Sequence, residues 1–140
     1  SYVDFKFSKI TNLDAGLTLD TKAQFTPKWK YSIGAQYKIV LGDFGSITPR
    51  LDWNYRSSLE SNAINNRPLY NMGHVEPVGL LNGRVSYKTA DGDWEAALAV
   101  TNITDKFYYT NKYDREAGFG TVFGQPGRPR EWQFSIKRSF

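Results

Sequence analysis

The chain has 140 residues, a net charge of +4 and 40% apolar residues, with aromatics alone making up 16%. Cysteine is absent, so neither a disulfide framework nor a thiolate metal site is possible. The positive charge is dispersed; "RPR" at 128–130 is too short to be a nucleic-acid tract, and nucleic acid is not expected as a partner.

Tyr, Phe, Trp and Thr favour strands and no long stretch has helical periodicity, which predicts an all-β fold. The first residue is Ser1 rather than Met, with no charged-then-apolar leader before it, so a chain cut or processed from something longer is expected. No apolar run approaches the roughly 20 residues of a membrane-spanning helix. Membrane β-strands escape that test, because only every second residue need be apolar.

Six segments alternate with the period of two that a strand shows between two different environments. "SYVDFKF" (1–7) sets Val3, Phe5 and Phe7 against Asp4 and Lys6. In 28–41, Trp29, Tyr31, Ile33, Ala35, Tyr37, Ile39 and Leu41 share a face, opposed by Lys28, Lys30, Ser32, Gly34, Gln36 and Lys38. Segment 47–56 sets Ile47, Pro49, Leu51, Trp53 and Tyr55 against Thr48, Arg50, Asp52, Asn54 and Arg56. In 81–88, Leu81, Gly83, Val85 and Tyr87 oppose Asn82, Arg84, Ser86 and Lys88. In 94–103, Trp94, Ala96, Leu98 and Val100 share a face; in 132–140, Trp132, Phe134, Ile136 and Phe140 do. Several of these exceed the roughly 5–6 residues usual in globular sheets and match the roughly 9–11 of a tilted membrane strand.

The connections alternate in length. "GDFG" (42–45) and "ADGD" (90–93) are tight, Gly/Asp-rich hairpin turns, whereas 58–77 and 106–130 are long and carry Asn, Gly and Pro. Short turns on one side and long loops on the other are the asymmetry of an outer-membrane barrel. With strands running alternately down and up from the surface, Trp29, Tyr31, Trp53, Tyr55 and Trp132 fall at the outer interface. Tyr37, Tyr87, Trp94 and Phe140 fall at the inner one, which makes two aromatic girdles. Alternation alone does not say which face meets water, so a soluble lipocalin-like barrel or a β-sandwich also fits the pattern.

Three stretches carry a family resemblance: "PKWKYSIGAQY" (27–37), "LNGRVSYKTADGDWEAALAVTNITDKFYY" (81–109) and "GQPGRPREWQFSIKRSF" (124–140). They resemble the C-terminal end of TonB-dependent outer-membrane receptors, with "TNITDKFY" and the "PGRPR…F" ending the most specific parts. The resemblance implies that residues 1–140 are the C-terminal segment, about six antiparallel transmembrane strands, of a larger β-barrel in the bacterial outer membrane. It implies a plug domain absent from this chain, coupling to the TonB complex through that plug, and outer-membrane lipid and the remaining strands as partners. Trp132, Phe134, Ile136 and the terminal Phe140 would then be read by the barrel assembly machinery. The function implied is active uptake of a bulky ligand. The alternatives are a soluble β-sheet module binding carbohydrate or lipid, and a passive porin.

Little else carries chemistry. His74 is the only histidine, has no ligand-spaced partner, and is expected as a solvated loop residue beside Met72. "GFGTVFGQPGRP" (118–129) lacks the GK[ST] ending and following helix of a phosphate loop. Asn102, Thr104 and Asp105 are expected to cap a strand end through side-chain to backbone bonds. No nucleophile, base and orienting group converge, so no enzyme, cofactor or metal is expected. Ligand contact falls to aromatic and amide residues of the long loops. The candidates are Asn65, Asn66, Arg67 and Tyr70 in one, and Tyr108, Tyr109, Tyr113, Phe119 and Phe123 in the other. On the polar face, Arg50, Arg56, Arg84, Lys88 and Lys137 against Asp52 and Glu95 predict a positive field that favours anions. The expected cargo is therefore an iron–siderophore, with a glycan next.

Overall fold

The computed structural model describes residues 1–11, 16–65 and 72–139. Its strands, in chain order, are β1 Lys30–Gln36, β2 Ile39–Val40, β3 Ser46–Arg56, β4 Leu59–Glu60, β5 His74–Val75, β6 Val78–Lys88, β7 Trp94–Thr101, β8 Tyr109–Arg115, β9 Thr121–Pro126 and β10 Glu131–Arg138, with a 3-10 turn at Gly42–Phe44 and a helical turn, α1 Glu116–Phe119. The chain is all-β with antiparallel sheets. Two compact units divide it.

The first unit is Ser32–Asn54, Gly79–Lys106 and Arg128–Phe140. Its sheet runs β1-β3-β6-β7-β10, with β2 also paired to β3. The long strands thus lie side by side in chain order, an up-and-down meander. The sheet is open, and no closed barrel is found among the described residues. Its registers put like with like: Val85 faces Leu98, which faces Phe134, and Tyr87 faces Ala96, which faces Ile136. The intervening rows are polar, as in Lys88, Glu95 and Lys137. A one-residue slip would exchange the faces, so the alternation itself holds the register. Of this unit's described apolar side chains only Ala97 is buried.

The predicted strand 28–41 is split into β1 and β2, and proline chemistry explains the gap. The Tyr37 N–H donates to the Pro49 carbonyl at 3.1 Å, but Pro49 has no N–H to return to Tyr37. The ladder loses one rung and resumes where Ile39 pairs with Ile47.

Both tight turns form where predicted. Gly45 has φ 93°, and a Cβ there would strike the Lys88 carbonyl and Thr89, so the position excludes side chains twice over. In the 90–93 turn the Asp91 carboxylate accepts from the Thr89 hydroxyl and from the Asp93 N–H. These bonds, the Thr89 hydroxyl first, hold the Asp91 carboxyl below its ordinary range. A depressed folded-state pKa means that the stabilisation is complete above the unfolded carboxyl range and is lost as pH falls through the folded value. Asp91→Asn should therefore remove an acid-dependent part of the turn's order, seen as a flattened pH dependence of the Asp93 amide shift below about pH 4.

The second unit is Ser1–Tyr31, Tyr55–Val78 and Phe107–Gly127. It holds the two-stranded pairs β4–β5 and β8–β9, with Leu59 and Val75 as its buried apolar side chains among the described residues. Two sequence expectations are corrected here. "SYVDFKF" is not a strand: only Tyr2 bridges Trp29, with Val3 donating to the Lys28 carbonyl and Lys30 to that of Ser1. Alternation assigns faces but supplies no partner, and a strand needs both. Loop 106–130, for its part, contains the β8–β9 hairpin. Its strands carry polar residues on both faces, so no hydrophobic period announced them.

Candidate functional site

The second unit gathers most of the candidate residues, and their roles separate. Asn65 is buried: its Oδ1 accepts from the Lys22 N–H at 2.9 Å, and its Nδ2 donates to the carbonyls of Lys22 and Asn62. That fully used amide ties segment 18–26 to the 58–65 loop. Asn66, Arg67 and Tyr70 lie outside the described residues, as does Phe140.

In the 106–130 hairpin, two tyrosines sit on glycines. Tyr109 covers Gly124 and Tyr108 covers Gly127; a Cβ at either glycine would collide with the ring above it. Phe107 meets Tyr109 edge-on at 5.2 Å, and the Lys112 ammonium lies 5.2 Å from the Tyr109 ring centre. The Tyr109 ring thus covers the Gly124 position of the face that also carries Lys112. On the opposite face, Tyr113 and Phe123 stand directly across from each other, 46% and 57% exposed. Phe119, in α1 at the hairpin tip, is 75% exposed. A β-bulge between Tyr109 and Asn111 separates the closed glycine seats from the open aromatic row.

A polar centre that the sequence did not announce sits beneath the 58–65 loop. Glu60, 2% exposed, accepts from the Lys22 ammonium at 3.1 Å, and His74 Nδ1 lies 3.0 Å from the same oxygen. His74 Nε2 is 3.8 Å from Glu76. His74 is thus a strand residue of β5 in contact with a buried carboxylate, which corrects its reading as a solvated loop residue. Lys22 lies 38 positions from Glu60 and His74 lies 14 from it, separations that local pattern cannot reveal. The Gln24 amide adds a bond to the Ser61 carbonyl, and Gln24 forms a parallel bridge with Glu60. Among the described residues no group of three or more His, Cys, Asp or Glu side chains could hold a metal ion.

Among the described residues of this unit, two buried polar atoms have no hydrogen-bond partner: Nη1 of Arg56 and Oδ1 of Asn111. The other terminal nitrogen of Arg56 donates to the carbonyls of Tyr109, at 3.3 Å, and Glu76. Neither orphan has a sequence signature, since both follow from how β8 is seated.

In the first unit the polar face of the sheet is largely self-neutralised. Arg50 grips Asp52 with a two-pronged contact, 2.7 Å at each prong, and reaches Gln36 at 3.3 Å. Arg84 lies 3.5 Å from Glu95. Lys88 and Lys137 flank Glu95 in register. The predicted positive field is therefore carried on this unit by those two lysines more than by its arginines. Trp132, Phe134 and Ile136 line the apolar face of β10, the last strand of the sheet, each about two-thirds exposed. Comparison with protein-family models, with curated proteins and with solved structures finds no match.

Proposed function

We propose that this chain is part of the β-barrel of a TonB-dependent outer-membrane receptor, which imports a bulky solute across the bacterial outer membrane. The observation that carries the reading is the uncovered apolar face of the sheet. Ile33, Leu51, Val85, Leu98 and Phe134 lie on it, from 47% to 69% exposed, while the opposite face is laced by hydrogen bonds and ion pairs. Water would penalise such a face at roughly 25 cal/mol per Å² of apolar area. Lipid removes that penalty, and the polar face then lines the interior.

Aromatic placement supports the same orientation. Beside the short turns, Tyr37, Phe44, Tyr87 and Trp94 are exposed, with the Tyr87 hydroxyl donating to the Phe44 carbonyl and the Arg138 guanidinium over the Trp94 ring. Rings with one polar partner suit the headgroup level. The open sheet edges require further strands, because unpaired backbone groups in hydrocarbon cost several kcal/mol each. In this reading transport is energised from the inner membrane through the plug such receptors carry, and segments 58–77 and 106–130 are surface loops.

Cell fractionation of the full-length protein tests this directly. It is expected in the detergent-resistant outer-membrane fraction and, once purified, to insert into phospholipid vesicles with protease protection of 46–56, 78–88 and 94–101. Recovery from the soluble fraction, with no protected strands, would refute the receptor and favour a soluble β-sheet module.

A further inference from the structure

We propose that the free edge of β1 is the docking site of one further strand, the stretch of the full-length chain that leads into Ser1, in a register that residues 1–3 already set. Those residues run antiparallel to Lys28–Lys30. The Val3 N–H donates to the Lys28 carbonyl and the Lys30 N–H to the Ser1 carbonyl, each at 3.0 Å, while the Ser1 nitrogen donates to the Lys30 carbonyl at 2.6 Å. Tyr2 bridges Trp29 between these bonds, and their ring centres are 4.5 Å apart. On the far side of Ser1, β1 runs on to Gln36 as the first strand of the sheet, with no partner on this edge among the described residues. A second molecule would have to displace Ser1–Val3 or stop short at Lys30. The chain before Ser1 is brought to the same edge by its own peptide bond, so its effective concentration there is high.

The backbone of β1 fixes which groups such a strand meets. In an antiparallel ladder the N–H and C=O of one residue leave the same side of the strand, and successive residues alternate sides. Trp29 and Tyr37 face β3: the Ser57 N–H donates to the Trp29 carbonyl, and the Tyr37 N–H to the Pro49 carbonyl. Lys30 turns both its groups the other way, to Ser1. Ser32, Gly34 and Gln36 therefore direct theirs to the free edge. Each step back from Ser1 is a step forward from Lys30, so the second, fourth and sixth residues before Ser1 meet Ser32, Gly34 and Gln36. The first, third and fifth meet Tyr31, Ile33 and Ala35, and cross-strand partners share a face. Tyr31 and Ile33 are exposed on the apolar face, whereas the side chains of Ser32 and Gln36 bond Asn54 and Arg50 on the polar one. The preceding strand should thus be apolar at the first, third and fifth residues before Ser1 and polar at the second, fourth and sixth.

The assignment rests on the reading of this chain as part of a larger barrel, and its test separates the two. Residues 1–140 contain no cysteine, so introduced pairs report the register. In the full-length protein, with any cysteine outside these residues replaced by serine, Ile33→Cys is combined with a cysteine at the third residue before Ser1 and oxidised with copper–phenanthroline. The two positions form a non-hydrogen-bonded pair, about 4.5 Å between Cα atoms, which a disulfide can span. The bond is expected in most molecules, to the same extent as in a control carrying Tyr2→Cys with Trp29→Cys. Moved to the second or fourth residue before Ser1, the upstream cysteine lies on the other face and should not join Ile33→Cys. The proposal is overturned if the upstream pair stays reduced while the control oxidises, or if no chain precedes Ser1. It is also overturned if Ile33→Cys joins Phe134→Cys in a variant carrying that pair, or joins a second copy to give a dimer on a non-reducing gel. Lipid insertion is read independently by protease protection: a protein that inserts without the upstream disulfide sinks the register alone, and one that forms it in the soluble fraction sinks the receptor alone.

Discussion

Replacing Asn102 with leucine is expected to destabilise the chain by about 3–5 kcal/mol. Asn102 is 2% exposed and has φ 50°, a region in which a branched apolar residue is strained. Its side chain closes the end of β7 from two directions. Oδ1 accepts from the Lys106 N–H at 3.0 Å, and Nδ2 donates to the carbonyls of Lys106 at 2.9 Å and Arg128 at 3.3 Å. Its own N–H is received by Asn82 Oδ1 at 2.9 Å. Leucine would leave three buried-side backbone groups without partners and keep the strain. Asn102→Gly relieves the strain but not the lost bonds, so it should fall between wild type and leucine. Asn102→Asp retains the acceptor for Lys106 but turns a second oxygen towards two carbonyls, and should resemble leucine. Urea unfolding followed by tryptophan fluorescence orders the series; a leucine variant within about 1 kcal/mol of wild type would show that the clamp carries no stability.

This clamp shows what the sequence made legible. Asn102, Thr104 and Asp105 were expected to cap a strand end; Asn102 and Asp105 make such bonds, whereas the Thr104 side chain makes none among the described residues, and Asp105, at φ 51°, accepts from the Arg130 N–H and faces its guanidinium at 3.4 Å. The residue types sufficed because Asn and Asp tolerate positive φ and bond locally. That the knot reaches forward to Arg128 and Arg130 was not legible, since nothing local links those positions. The same division holds elsewhere. Strict alternation placed β3, β6, β7 and β10, because a two-sided environment writes itself into every second residue. Where both faces are polar, as in β8 and β9, the period vanished and the hairpin was read as loop. Alternation paired only at Tyr2, as in 1–7, led to a strand that does not form. Aromatic content drew attention to 106–130, but it could not tell Tyr109, seated on Gly124, from Tyr113, left exposed.

The charge distribution makes a related point about composition. Counting side chains on the polar face gave a basic surface, yet Arg50 and Arg84 are held by Asp52 and Glu95. A net charge sums over these contacts; a ligand meets what they leave. On this sheet that remainder includes Lys88 and Lys137, one on each side of Glu95.

The sign of a charge scan across the Val85–Leu98–Phe134 row decides which solvent the apolar face meets. In lipid, Val85→Lys or Leu98→Lys should cost roughly 2–4 kcal/mol, because the row lies near the middle of its strands and a charge there would sit near the bilayer midplane. The cost should shrink towards the turns, so that Tyr87→Lys costs about 1 kcal/mol or less. On the opposite face, Gln133→Lys is exposed, faces Ala99 in register and makes no described hydrogen bond, so it should change stability by less than about 0.5 kcal/mol. If water met the apolar face instead, lysine at 85 or 98 would replace an exposed apolar side chain with a solvated one, and its effect would be near zero or stabilising. Urea titrations of the full-length protein folded into phospholipid vesicles measure this difference. A depth-graded penalty confined to the odd-numbered residues of β6 and the even-numbered residues of β7 and β10 is the expected outcome. A flat or inverted profile would exclude lipid as the partner of this face and, with it, the membrane barrel.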